Sequence, residues 1–181
     1  GTGLNSTPIL DFDGSANTLI ETTGFSLGAN SWSAWTLVKV DTWVNVDAIW
    51  CMDDGSGATD KTCFLRMVSG PNRWQANYVG AGAGTGGLSA TAAATGSWVM
   101  LRTFFDDAND LVGVSANNEA DATGAAASAA TAITRFKLAE AFTGFGDLKF
   151  ADHFMMRGKY RTMQNSYAVN YFNRRYALGL T

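Results

Sequence analysis

The segment "GDLKFADHFMMR" sets Leu148, Phe150, Asp152, Phe154 and Met156 at every second position, with Lys149, Ala151, His153, Met155 and Arg157 between them. A repeat of two matches the pleat of a β-strand, whose successive side chains point to opposite faces; a helix cannot use it. The same repeat returns in "ILDFDGSANTLI" at Leu10 and Phe12, and in "RWQANYVG" at Trp74, Ala76 and Tyr78. "SWSAWTLVKVDTWV", "DAIWCM", "CFLRMVSG" and "SWVMLRTFFDD" are likewise rich in aromatic and branched residues. Clusters of Gly, Asn, Asp and Ser separate these runs. In "LVGVSANNEA" the break is Asn117-Asn118, residue types that tolerate the positive φ of a tight hairpin turn. Evenly spaced strands with no helical segments between them predict an antiparallel sandwich rather than a parallel βαβ sheet.

The chain has 181 residues, 46% of them apolar and 16% charged. It is expected to fold as a single domain over residues 1–181, with a core that needs no metal or disulfide staple. It opens Gly-Thr-Gly in place of Met, as a processed product, a tagged chain or a piece of a longer protein would. One short helix is predicted, at about 162–178, where "RTMQNSYAVNYFNRRYALGL" offers Thr162 as N-cap and Gly179 as a stop. Met163, Tyr167 and Tyr171 form one stripe at helical spacing, and Ala168, Phe172 and Tyr176 lie beside it. Together they read as a lid packed on the sandwich. "VGAGAGTGGLSATAAATG" and "ADATGAAASAATA" hold little side-chain area to bury and read as long surface connections. The alternative for both is close packing against a neighbouring subunit.

The net charge is −3 and no Lys/Arg cluster is present, which argues against nucleic acid and anionic membrane as partners. No apolar run is long enough to cross a bilayer, so membrane insertion is not expected. The single histidine, His153, directly follows Asp152, and the pair invites a catalytic reading. Strand neighbours face apart, so adjacency here argues against a dyad. On simple alternation His153 shares a polar face with Lys149 and Arg157, as a partly exposed structural histidine. Asp152 falls in an otherwise apolar row and must find a cation or several donors, for which Arg66 and Arg102 are candidates, with a metal second. Glu21, Glu119 and Glu140 stand isolated, without the paired carboxylates that glycoside hydrolysis uses, and no nucleophile elbow is visible. No catalytic residue is therefore assigned.

Four aromatic residues with polar neighbours could form a sugar-stacking platform: Trp43, Trp50, Trp74 and Tyr78, beside Asn72, Arg73, Gln75 and Asn77. The competing reading is core, where most tryptophans of a sandwich sit; Trp35 and Trp98 are assigned there. Asp53, Asp54 and Asp60 crowd one loop that could hold calcium or simply be solvated; no other cofactor is implied. Cys51 and Cys63 flank that loop. A hairpin centred near Gly57 would bring them opposite each other, as a disulfide or as two small apolar side chains. With one histidine and no CxxC, a zinc cage is not expected.

The order of segments resembles the laminin-G-like jelly roll of the concanavalin A-like lectin/glucanase superfamily. The resemblance is carried by Phe12-Asp13-Gly14 closing the first strand, "WSAWTLVKV" around Trp35, "GSWVMLRTFFDD", the hairpin "VSANNEA", and the ending "FGDLKFADHFMM" followed by "NYFNRRYALGL". It implies two packed antiparallel sheets with one short C-terminal helix. It also departs from the family's enzymes, because neither the Glu-x-Asp-x-x-Glu strand of the glucanases nor the Gln-x-His strand of the lyases is present. Because this fold carries many functions, two non-catalytic expectations stand. The first is a virion decoration or fibre module that assembles with other subunits or with itself. The alternative is a lectin-type module of a secreted protein that binds cell-surface glycan. Either places the chain on a virion or otherwise outside the cell.

Overall fold

The computed structural model describes residues 4–15, 19–21, 27, 30–42, 48–53, 61–68, 72–78, 86–126, 133–141 and 144–181. Two six-stranded antiparallel sheets stack face to face. The first runs in the order β1 (Leu10–Asp13), β14 (Asp147–Arg157), β3 (Trp32–Thr42), β8 (Trp98–Asp106), β9 (Leu111–Ala116) and β10 (Ala122–Ala125). The second runs β2 (Leu19–Glu21), β11 (Arg135–Leu138), β4 (Ala48–Asp53), β5 (Lys61–Val68), β6 (Arg73–Tyr78) and β7 (Gly87–Ala92). A small separate pair, β12 (Glu140–Ala141) and β13 (Gly144–Phe145), lies beside β4. One helix, α1 (Thr162–Tyr176), packs on the outer face of the first sheet.

That helix explains why β3 is buried along nearly its whole length. Trp32, Ala34, Val38 and Val40 face the second sheet, while Trp35 and Leu37 face α1. Among the mostly aliphatic side chains between the sheets, aromatic rings also meet across the sandwich. Tyr78 stacks on Phe105 with ring centroids 4.1 Å apart, and Trp32 meets Trp50 edge to face at 5.7 Å. Each such ring, fully removed from water, contributes about 2–3 kcal/mol.

Strand β14 does not keep one phase. Phe150 pairs with Val38 and Asp152 with Leu37, so Ala151 is an extra residue, a β-bulge. Before it, Leu148 and Phe150 point into the sandwich; beyond it, Met155 does, while Phe154 and Met156 turn to the helix. Strict alternation had put Phe150, Phe154 and Met156 on one face, and the bulge is why it fails.

The Gly/Ala stretches are corrected as well. Parts of both are strands, β7 and β10, at the edges where the two sheets meet, and the amide of Gly86 donates to the carbonyl of Ala125. A methyl group on Gly124 would sit 1.6 Å from the Gly86 carbonyl oxygen, and one on Gly87 would sit 2.3 Å from that of Ala122. Small residues let the two backbones touch. The turn at Asn117-Asn118 forms as expected, with φ of 47° and 68°.

The helix starts at Thr162, with Arg161 outside it and the Arg161 amide donating to Gln164 Oε1 at 2.6 Å. It stops at Ala177, whose left-handed conformation (φ 55°) lets its amide reach the Asn173 carbonyl. Thr162 is thus the first helical residue rather than the cap, and the stop comes two residues before Gly179.

Candidate functional site

Among the described residues, the aromatic candidates for a platform are not at the surface. Trp50, Trp74 and Tyr78 are buried in the inter-sheet core, and Trp43 lies outside the described residues. Asn72 is an exposed turn residue with φ 50°, and Arg73 is half-buried at the start of β6. The amide of Gln75 accepts from Arg66 at 2.8 Å. Trp35 is core, under α1, whereas Trp98 is only partly buried.

Asp53 is buried and faces two cations, Arg135 at 2.5 Å and Lys137 at 3.4 Å. Asp54 and Asp60 lie outside the described residues, and among the described residues no three His, Cys, Asp or Glu side chains come together as metal ligands would. Cys51 pairs with Phe64 and Cys63 with Met52, and both remain thiols. A register shift in the β4/β5 hairpin sends them to opposite faces, Cys63 into the core and Cys51 outward with Ala48 and Phe64. Burial, and then the neighbouring Cys51, push the Cys63 thiol up well beyond its ordinary range.

Asp152 and His153 diverge, as strand geometry requires. His153 is half-buried among aromatics, stacked on Phe136 at 4.7 Å and edge-on to Trp50 at 6.2 Å, not on a polar face with Lys149 and Arg157. Thr36 Oγ1 accepts the Trp50 indole N–H at 3.2 Å and lies 2.9 Å from His153 Nδ1, so its own proton can go to the neutral ring. Burial pushes the imidazole down to about 4, against the weaker upward pull of Asp152.

Asp152 turns to the helix. Its Oδ2 accepts from Tyr171 at 2.6 Å and lies 3.0 Å from the Tyr176 hydroxyl, while Oδ1 accepts the His153 amide at 2.9 Å. The Tyr176 hydroxyl also lies 3.0 Å from the carbonyl of Ala151, the bulge residue. Arg175 Nε stands 4.0 Å from the carboxylate. Neither expected arginine takes part: Arg66 binds Gln75, and Arg102 pairs with Asp121 at 2.7 Å. Burial first, then the bond to Asp152, raises the Tyr176 hydroxyl to about 12 and moves Tyr171 the same way. Both stay protonated donors at any physiological pH.

Around this carboxylate lies an open groove of about 480 Å³ between β14 and α1. Trp35, Phe154, Met156 and Ala168 give it apolar walls; Asp152 and Gln164 are its polar points; Tyr167 and Tyr171 stand at its side. Of the two helical stripes, Ala168, Phe172 and Tyr176 pack inward. The other is exposed, with Met163 at 65%, Tyr167 at 67% and Tyr171 at 39%. Both stripes look alike in the sequence. Only the direction from which β14 meets the helix decides which becomes surface. A single exposed side chain of this kind would need no explanation, but three in one contiguous stripe beside a groove form a candidate contact surface.

No family model matches the sequence, and no curated protein does. Solved structures do match the fold. A native heptameric SAP-like pentraxin from Limulus polyphemus aligns with a TM-score of 0.68 at 13% identity, over 89% of this chain and 80% of that one. The fold is a jelly-roll sandwich of the concanavalin A-like kind. The binding domain of botulinum neurotoxin DC, in complex with SialylT, aligns with a TM-score of 0.64 at 10% identity, over 88% of this chain and 41% of that one. Alginate lyase AlgAT5, from polysaccharide lyase family 7, aligns with a TM-score of 0.51 at 11% identity, over 81% of this chain and 71% of that one.

Proposed function

We propose that this jelly roll is a recognition module that binds carbohydrate on the outer face of α1. The observation that carries the reading is the pair Tyr167 and Tyr171, one helical turn apart and exposed beside a groove that contains a carboxylate and an amide. The C–H face of a sugar stacks on such rings, and its hydroxyl groups need donors and acceptors close by. Asp152 Oδ1 retains a lone pair beyond the one given to the His153 amide, and Gln164, whose Oε1 caps the helix, offers its amide N–H donors. Tyr171 is held by its bond to Asp152, so little freedom is lost when it meets a ligand. Likeness at 10–13% identity transfers no residue from the pentraxin, toxin or lyase. The toxin binding domain, solved with SialylT, supports the reading only as an instance of this fold holding a glycan. We place the module outside the cell, on a secreted protein or a virion surface.

The test is a glycan array followed by titration of the captured sugar. Tyr167→Ala, at a position with no packing role, is expected to weaken binding about three- to tenfold while leaving the melting curve in place. An array on which no glycan is retained, or a Tyr167→Ala variant that binds as the parent does, would defeat the reading. Exposed Leu10, Leu19 and Ile20 on β1 and β2 favour a second reading, assembly of this chain with copies of itself or with other virion or fibre subunits. Native mass spectrometry showing a stable oligomer, together with a silent array, would select it.

A further inference from the structure

Beyond the groove, the tyrosine pair has a second side. A recess of about 470 Å³ is lined there by Tyr167, Asn170, Tyr171, Arg174 and Arg175. From this we infer that the sugar taken by the α1 face is acidic, with a carboxylate that pairs with Arg174 while its ring stacks on the exposed tyrosines. The inference rests on the glycan reading above and adds the chemical class of the ligand.

The charges around the rings are unbalanced. α1 contains no Asp or Glu, and the carboxylate beside it, Asp152, is engaged by Tyr171, Tyr176 and Arg175. Arg175 is also held over the rings of Tyr171 at 5.8 Å and Tyr176 at 5.6 Å. Arg174 is exposed and makes no hydrogen bond or ion pair with any described residue. Two guanidinium groups therefore stand against one carboxylate, and the second has its fork of donors available. A cation in the last turn of a helix also offsets the partial negative charge there. That effect accounts for a basic residue near the C-terminus, but not for the exposed tyrosines beside it.

Spacing supports the assignment. Arg174 lies three residues from Tyr171 and four from Asn170, so all three share one side of the helix. Along the axis Arg174 is about 5 Å beyond Tyr171, within reach of a substituent on a ring stacked there. A planar guanidinium matches a carboxylate through two parallel N–H···O bonds, and the Asn170 amide can donate to a neighbouring hydroxyl.

The test uses the whole chain and paired ligands: oligogalacturonides and sialyllactose, each beside its methyl ester, with a sulfated neutral oligosaccharide as a third arm. The acid should bind about tenfold tighter than its ester at low salt, with the gap narrowing as salt is added. Arg174→Gln should close the gap without weakening the ester, Arg174→Lys should restore part of it, and Tyr167→Ala should weaken both partners. Equal affinity for acid and ester, or a gap that survives Arg174→Gln, overturns the inference and leaves glycan binding standing. A sulfate ester held more tightly than every carboxylate overturns the assignment of the anion. If neither these ligands nor any neutral glycan binds, this inference and the proposed function fall together.

Discussion

Phe172→Ala should detach the helix while leaving the sandwich closed. The Phe172 ring is wholly buried, stacked on Phe154 at 5.6 Å and on Tyr176 at 6.1 Å, with Tyr171 edge-on at 5.4 Å. Truncating a buried phenylalanine costs about 3–5 kcal/mol, through lost transfer energy and the cavity left behind. The cluster under α1 is separate from the one between the sheets. The loss therefore falls on docking, and an undocked helix of 15 residues is marginal in water. Hydrogen exchange read by mass spectrometry gives the measure. Amides of residues 162–176 should lose protection by about a hundredfold or more, while those of β3 and β8 change by less than about tenfold. Far-UV circular dichroism should report the lost helix below the main melting transition. A uniform loss across α1, β3 and β8 would mean that helix and sandwich open as one unit, and the reasoning would be wrong. So would full protection of α1.

Three further outcomes follow from the geometry. His153 titrates near 4 when folded and near its ordinary 6.5 when unfolded; between these values the unfolded chain takes the proton and the folded chain does not. Its contribution is complete above about pH 6.5 and declines as pH falls, so urea midpoints should show about 2 kcal/mol lost between about pH 7 and about pH 5, and His153→Gln should remove that slope. Arg102→Met leaves Asp121 with the Tyr160 hydroxyl and solvent, and frees Asn118 and the Glu119 carbonyl that Arg102 also holds; chemical denaturation should give about 2–3 kcal/mol, and a cost under about 1 kcal/mol would deny the network a stabilising role. Gly124→Ala should destabilise by about 3 kcal/mol in the same assay, and adding Gly87→Ala should cost less than its effect alone, because the first methyl group already parts β7 from β10.

Much of this fold can be read from periodicity, because a buried strand must alternate and a packed helix must carry a stripe. Those rules locate β3, β6, β8, the Asn117-Asn118 turn and α1. They fail where one residue or one contact direction changes the answer. Ala151 shows no sign in the sequence of being a bulge, yet it carries His153 from an expected polar face into the aromatic core. Gly87 and Gly124 read as loop residues because a close approach of backbones leaves no apolar pattern. The site itself was half legible. Met163, Tyr167 and Tyr171 are recognisable as a stripe, but a second stripe beside it is equally apolar, and only docking against Phe154 settles which one faces water. The ring area that suits a tryptophan to stacking on sugar is also what places Trp50 and Trp74 in the interior.

The contact between β7 and β10 makes the molecule lopsided. On that flank the two sheets are sealed against each other, so no foreign strand can be added without prising them apart. Among the described residues, the two six-stranded sheets keep unpaired edges on the opposite flank, at β1 and β2, with Leu10, Leu19 and Ile20 outward. Strand-to-strand growth of the two large sheets, whether a purposeful dimer or the first step of precipitation, thus starts from that flank among the described residues, and two molecules joined there cover each other's open edges.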